Sequence, residues 1–294
     1  GSCFTVILPF KIDTNARPEE KEDFDDEIIE TGIKEINRLN EKYPDNNFNK
    51  FNFIYRKRTW NPSEECFLGW ERKRGAINQF NEYLLGNIKN PFLFNSFEDS
   101  ENSIPKIKYI ITLDSDTDLT LNSGLELVGT MSHILNKPIL DKSTNTVING
   151  HALLQPRIGV GLLEVRRSNF TKIFSGLGGT DSYVNAVFDV YQDNFDEGIF
   201  TGKGIYDLEI FSKVIKNEIP ENTVLSHDLL EGSYLRCGMV SDIMLMDGYP
   251  TNYLSFKKRL HRWIRGDYQI AKWVKNPKIN LLSKYKIIDN ILRS

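Results

Sequence analysis

Three carboxylates in close succession, Asp114, Asp116 and Asp118, end the stretch that runs from Lys108 to Leu119. Two carboxylates one residue apart can hold a hard divalent cation, Mg²⁺ or Mn²⁺, which in turn can hold a diphosphate. The same residues would also make an ordinary solvated acidic turn. A second acidic group stands further on, in Ser226-His227-Asp228-Leu-Leu-Glu231. Asp228 can act there as a general base. Alternatively Ser226 caps a helix and the two acids only favour its start. Positive charge for a phosphate is offered by Lys73 and Arg74, next to a helix start near Gly75. Arg259 and Arg262 beside Trp263 suit diphosphate binding and sugar stacking. A basic loop and a basic helix face are the plainer readings of those two stretches.

The elements that would position these groups can be read from periodicity. Tyr109 to Leu113 is a short apolar run, as expected of a strand buried on both faces in a parallel sheet. Ligands bind beyond the carboxyl ends of such strands, which is where Asp114 and Asp116 fall. Phe4 to Phe10 reads as another buried strand, with Asp13 at the same level. The spacing of Ile29, Ile33, Ile36 and Leu39 predicts a helix from about Asp25 to Tyr43, and Lys50 to Arg56 a second strand. Arg58 to Asn78 reads as a long aromatic, basic loop feeding the helix that carries Ile77, Phe80 and Leu84. Asn95 to Ser103 reads as a polar loop. Leu125, Val128, Met131 and Leu135 predict a helix after the acidic strand end. A strand ending in Gln155-Pro156-Arg157 follows. The glycine-rich run Phe174 to Asp181 does not join a strand to a helix in the manner of a dinucleotide loop. Gly198, Gly202 and Gly204 around Lys203 serve either ordinary turns or a close backbone approach to a sugar.

The 294 residues, 40% of them hydrophobic, suffice for one large α/β domain or two small ones. A formal charge of -3 gives no basic excess for nucleic acid. Three cysteines, Cys3, Cys66 and Cys237, lack metal-ligand spacing and read as reduced thiols. No signal peptide and no apolar run long enough to span a bilayer is visible, so the chain itself is expected to be soluble. His133 and His151 are isolated and read as structural.

Taken in order, Lys73-Arg-Gly-Ala-Ile-Asn78, Asp114-Ser-Asp116, Gly202-Lys-Gly204, His227-Asp-Leu-Leu-Glu-Gly232 and Arg259-x-x-Arg-Trp263 resemble the processive, inverting glycosyltransferases of the GT-A fold, the cellulose-synthase-like group. More closely they resemble the glycosyltransferase domain of cyclic β-1,2-glucan synthases. Trp60-Asn-Pro-Ser-Glu64, Gly69 to Gly75, Gln155-Pro-Arg157, Asp189-Val-Tyr-Gln-Asp193 and His261 to Asp267 add to that likeness, which spans most of the chain. The resemblance implies a single GT-A (Rossmann-like) α/β domain over residues 1–294, with a mostly parallel sheet and a helical C-terminal part. It implies glucose transfer from UDP-glucose to the 2-hydroxyl of a growing β-1,2-glucan, with inversion. Asp114 and Asp116 would then face the diphosphate and a Mg²⁺ or Mn²⁺ ion, and Asp228 would be the acceptor-side base. Arg262 and Trp263 match a motif written Gln-x-x-Arg-Trp, with Arg259 in the place of the glutamine as a phosphate or acceptor contact. Asp13 becomes the uridine-contacting acid if Phe4 to Asp13 is the second strand of the fold.

The resemblance also implies a larger protein, with transmembrane segments and further catalytic domains, at the cytoplasmic face of the inner membrane. The terminal face Leu281, Tyr285, Ile288 and Leu292, with Lys284, Lys286 and Arg293, would lie near that surface. Another sugar or linkage is the alternative within the same class. A catalytically silent sugar-nucleotide or glucan-binding module is the alternative outside it. A metal-dependent phosphohydrolase would need a further His/Asp ligand cluster, and none is expected.

Overall fold

The stripe Ile29, Ile33, Ile36 and Leu39 winds into α1 (Phe24–Lys42) in the computed structural model, which describes residues 17, 19–22, 24–45, 49–97, 106–175 and 189–294. β1 (Ile54–Arg56) is shorter than the sequence predicts. The expected long loop after it folds back on itself as a hairpin, β2 (Arg58–Asn61) against β3 (Cys66–Gly69). Trp60 opposes Phe67 in that register, with ring centroids 5.3 Å apart and edge to face. Such an aromatic cross-strand pair favours this register. Cys66 and Leu68 alternate inward, a period of two that the charged flanks obscure. α2 (Arg72–Leu84) then buries Ile77 and Phe80 as predicted, and β4 (Phe92–Asn95) pairs antiparallel with β1. These elements belong to the first of two compact units, residues 1–107.

The second unit, residues 108–294, carries a five-stranded sheet. In chain order it contains β5 (Tyr109–Thr112), β6 (Thr117–Leu119), α3 (Ser123–Ser132), the small hairpin β7 (Ile139–Leu140) and β8 (Val147–Asn149), and β9 (Leu153–Val160). Among the described residues three short helices follow: α4 (Leu162–Val165), α5 (Asn169–Phe174) and α6 (Val190–Phe195). Next are β10 (Gly204–Asp207), α7 (Leu208–Ile215), α8 (Asp228–Leu235) and β11 (Cys237–Asp247). The C-terminal part is helical, as predicted, with α9 (Tyr253–Ile270) and α10 (Leu281–Arg293). The strand order is β5-β10-β9-β11-β6.

This sheet corrects the expectation of mostly parallel pairing. Of its pairs, β9–β11 is parallel, while β10–β5, β10–β9 and β11–β6 are antiparallel. The reason is that β10 returns between β5 and β9, and β6 turns straight back after Asp114 to lie beside β11. β5, β9 and β11 nevertheless point the same way. Their carboxyl ends therefore share one edge with the amino ends of β10 and β6. β5 is not the doubly buried strand expected either: β10 is its sole described neighbour in this sheet, and its residues are half-buried.

Leu154, Ile205, Val240 and Ile243 face Leu127 and Met131 of α3 across one side of the sheet. Leu127, rather than Leu125 or Leu135, carries that contact. Leu125 and Leu135 are exposed, because the helix ends at Ser132 and turns the Leu127–Met131 edge inward. On the other side Tyr206 packs at a tilt against Phe211 of α7, with centroids 4.3 Å apart. Pro156 lies inside β9, where a proline ordinarily breaks a ladder. Both flanks yield to it. The β10 pairing stops at Leu154, and β11 bulges between Val240 and Met244. No described helix is long and apolar enough to cross a membrane.

Candidate active site at the carboxyl edge of the sheet

Asp114 follows β5 and begins a tight turn in which Thr117 N–H donates to the Asp114 carbonyl at 3.1 Å. That turn presents Asp114 and Asp116 at the shared edge. Asp247 ends β11 and, by register, stands opposite Thr117. Thr117 Oγ1 donates to Asp247 Oδ1 at 2.6 Å. Lys203, just before β10, arrives at the same edge because β10 runs the other way. Its Nζ lies 3.3 Å from Asp114 Oδ2 and also donates to Asp247 Oδ2. The ammonium thus occupies the place of a cation between two strand-end carboxylates.

Asp116 is held by a different element. Arg259 Nη2 donates to Asp116 Oδ2 at 3.0 Å, and its guanidinium lies 5.7 Å from the centre of the Trp263 ring. Arg259, Trp263 and Gly266 recur at helical spacing on α9, so one face of that helix follows the site. At its far end a Cβ on Gly266 would come within 2.6 Å of Ser226 Cβ, so glycine lets the helix approach the segment before Asp228. Gln269 Oε1 accepts from Leu225 N–H at 2.8 Å and ties the two together. Arg262 is exposed and forms no hydrogen bond or ion pair among the described residues.

Asp228 is the first residue of α8 and its one residue that is not buried. Ser226 does not cap this helix: His227 holds the cap position and makes no side-chain cap bond. Gly202 has φ +90, and a Cβ there would meet Asp228 Oδ1 at 2.9 Å. The Asp228 carboxylate therefore lies against the backbone next to Lys203. Beneath it, His227 Nδ1 lies 2.9 Å from Glu231 Oε1 and 3.6 Å from Asp228 Oδ1. The ligand atoms of His227, Asp228 and Glu231 all fall within 4.8 Å of one another. This corrects the expectation that no His/Asp cluster exists beyond the strand-end acids. The cause is the turn of α8, which brings residues 227 and 231 onto one face.

The second unit thus gathers Asp114, Asp116, Asp228, Arg259 and Trp263 around Lys203 and Asp247. The strand-end acids offer carboxylate oxygens, the donor type that hard divalent cations take, and Lys203 and Arg259 stand against them here. Lys73 and Arg74 lie in the first unit, in the first turn of α2. Arg74 is buried and paired with Glu71. Asp13 and the strand expected at Phe4 to Phe10 lie outside the described residues, as do residues 176–181 of the glycine-rich run. The sequence reading missed Asp247 and left Lys203 without a role. Asp247 carries the same signal as Asp114, an acid closing an apolar strand.

Asp189-Val-Tyr-Gln-Asp193, by contrast, does structural work. Asp189 caps α6, accepting from Tyr191 and Gln192 N–H, and Gln192 Oε1 accepts from Met239 N–H.

Over its whole length the chain is 40% identical to the cyclic β-(1,2)-glucan synthase NdvB of Rhizobium meliloti (strain 1021). It is similar throughout to one segment of a cyclic β-(1,2)-glucan synthase. The chain spans about 10% of that relative's length. No family model matches the chain.

Proposed function

We propose that this chain is the glycosyltransferase domain of a cyclic β-1,2-glucan synthase. It would move glucose from UDP-glucose to the 2-hydroxyl of a growing β-1,2-glucan, with inversion. The observation that carries the reading is the placement of the Asp228 carboxylate against Gly202, one residue from the lysine that holds Asp114 and Asp247. Two acidic functions from distant segments share one edge, together with a cationic side chain and a tryptophan face.

Inversion requires one attack from the side opposite the leaving nucleotide, with a base on the acceptor side. Asp228 takes the acceptor proton, with His227 and Glu231 buried beside it. Asp114 and Asp116, with Asp247 beside them, would hold Mg²⁺ or Mn²⁺. That ion supplies charge neutralisation at the departing diphosphate. Lys203 and Arg259 bring positive charge to the same oxygens, and Trp263 offers a face for a sugar ring. The full protein would place this domain at the cytoplasmic face of the inner membrane, joined to transmembrane segments and further catalytic domains.

Release of UDP from UDP-glucose in the presence of a β-1,2-glucan primer tests the reading. UDP formation that needs the primer and a divalent ion is the expected result. Thermal stability against a panel of UDP- and GDP-sugars with and without Mn²⁺ identifies the donor, since a ligand raises the melting temperature according to its concentration over Kd. The His227–Asp228–Glu231 cluster favours one competitor, a metal-dependent phosphohydrolase. That activity would split the diphosphate into UMP and glucose 1-phosphate and proceed without primer.

A further inference from the structure

Arg157 is a guanidinium with nothing to hold. Its side chain forms no hydrogen bond or ion pair among the described residues, and its Nε is closed off from solvent without a partner. Arginine stays charged at any physiological pH. A buried donor of this kind carries a cost unless water or a ligand satisfies it.

Its position in the sheet says which ligand. The paired rows Gly204–Thr112 and Ile205–Leu154 set the register of β5, β10 and β9. Past the last pair β10 and β9 stay close, a Cβ on Gly204 falling 3.3 Å from Pro156 Cδ, and counting on along the strands brings Gly204 level with Gln155, then Gly202 level with Asp114 and Arg157. A period of two puts Arg157 on the same face as Gln155. Gln155 is fully buried, and its Oε1 accepts from Thr201 N–H at 2.8 Å and from Thr201 Oγ1 at 3.1 Å. That bond fixes the segment leading into Gly202, over which the Asp228 carboxylate lies. Pro156 interrupts the ladder on both sides of β9 just before Arg157. The arginine therefore stands at the level of Asp114 and Asp228, yet pairs with neither. Asp114 is taken by Lys203, and Asp228 lies 3.6 Å from His227.

We propose that Arg157 is a donor-binding residue whose guanidinium takes the diphosphate oxygens of the nucleotide-sugar. This rests on the donor reading above. A planar, permanently charged fork suits two phosphate oxygens better than a hydroxyl, and the diphosphate is the anion that the reaction brings to this edge.

The test is calorimetric titration of the 294-residue chain with UDP, UDP-glucose, uridine and inorganic pyrophosphate in Mg²⁺. Arg157→Gln is expected to weaken UDP and pyrophosphate by roughly 10- to 100-fold and to leave uridine unchanged. Equal UDP binding by wild type and Arg157→Gln overturns the proposal, as would be found if an ordered water satisfies Nε, and leaves the donor reading intact. Unchanged UDP but weaker UDP-glucose binding also overturns it, placing the residue on the sugar instead. If wild type binds pyrophosphate through Arg157 but no UDP-sugar, the anion site stands and the donor reading falls. If wild type binds neither, both fall. Should Arg157→Gln not fold, Arg157→Lys keeps the charge but loses the fork. Weaker UDP with unchanged uridine then supports the proposal, and equal UDP binding overturns it.

Discussion

Two carboxylate centres in this chain are built from similar parts and differ in how completely they are closed. In the first unit Asp25 is fully buried. It receives Arg58 through both oxygens at 2.6 and 2.8 Å, the Tyr55 hydroxyl at 2.6 Å and Glu22 N–H at 2.9 Å. At the carboxyl edge of the second unit, the side chains of Asp114 and Asp116 keep 35% and 38% of their exposure. Each of these acids has a cation from a distant segment beside it, and solvent can still reach it. A saturated, buried centre holds structure. An open one with paired but accessible oxygens can exchange its partners for a ligand, as a binding or catalytic site must.

The sharpest break of this comparison is Asp228→Asn. It keeps shape and hydrogen bonding but cannot accept a proton, so transfer should fall by roughly 10²–10⁴-fold while UDP binding stays near wild type. Transfer at near wild-type rate would remove Asp228 as the base, and Glu231 would be tested next. In the closed centre, Arg58→Met leaves the Asp25 charge buried without its main partner. It should cost on the order of 3–5 kcal/mol in urea unfolding. A loss well under 1 kcal/mol would mean that solvent reaches Asp25 and the centre is open. Asp116→Ala sits between the two. It should weaken Mg²⁺-dependent UDP binding by roughly tenfold or more, with little change in stability, because the residue is exposed. Metal-independent UDP binding of unchanged affinity in that variant would contradict the cation role.

The pH response separates the centres again. Burial alone would raise the Asp25 pKa. The hydrogen bonds from Arg58, Tyr55 and Glu22 N–H outweigh it and hold the pKa at about 2, against an ordinary 3.8. A depressed folded pKa means stability that is present above about 3.8 and is lost as pH falls towards 2, roughly 2 kcal/mol in all. Urea unfolding between pH 5 and 2.5 should show this slope, and Asp25→Asn should lack it. Tyr55 is pushed up to about 12 by burial and by the Asp25 carboxylate beside it. It stays protonated, as a donor, at every pH where Asp25 is charged and the protein is handled.

The smallest expected effect concerns α10. Leu281, Tyr285, Ile288 and Leu292 are exposed, as a surface-lying face requires. Lys286, expected to add to that face, is instead buried and donates to Glu197 Oε1 and to the Glu197 and Gly198 carbonyls. Leu281→Gln with Leu292→Gln should lower binding to anionic liposomes several-fold and leave UDP binding unaltered. Equal liposome binding would remove the surface role.

Local pattern determined a good part of this protein. The helical stripes of α1 and α2, the strand ending in Asp114, the α9 motif and the exposed face of α10 all follow from short-range spacing, because a side chain's direction within a helix or strand is set by its own period. The acid Asp228 at a helix start was legible in the same way. What the sequence withheld is non-local. Nothing in the alternation of β10 says that it inserts between β5 and β9, and that insertion decides that Lys203 meets Asp114 and Asp247. The Asp228–Gly202 approach, the seat of Gly266 on Ser226 and the isolation of Arg157 join segments that are far apart in the chain. Strand pairing and helix docking settle such contacts through the packing of the whole unit, and no window of sequence contains both partners.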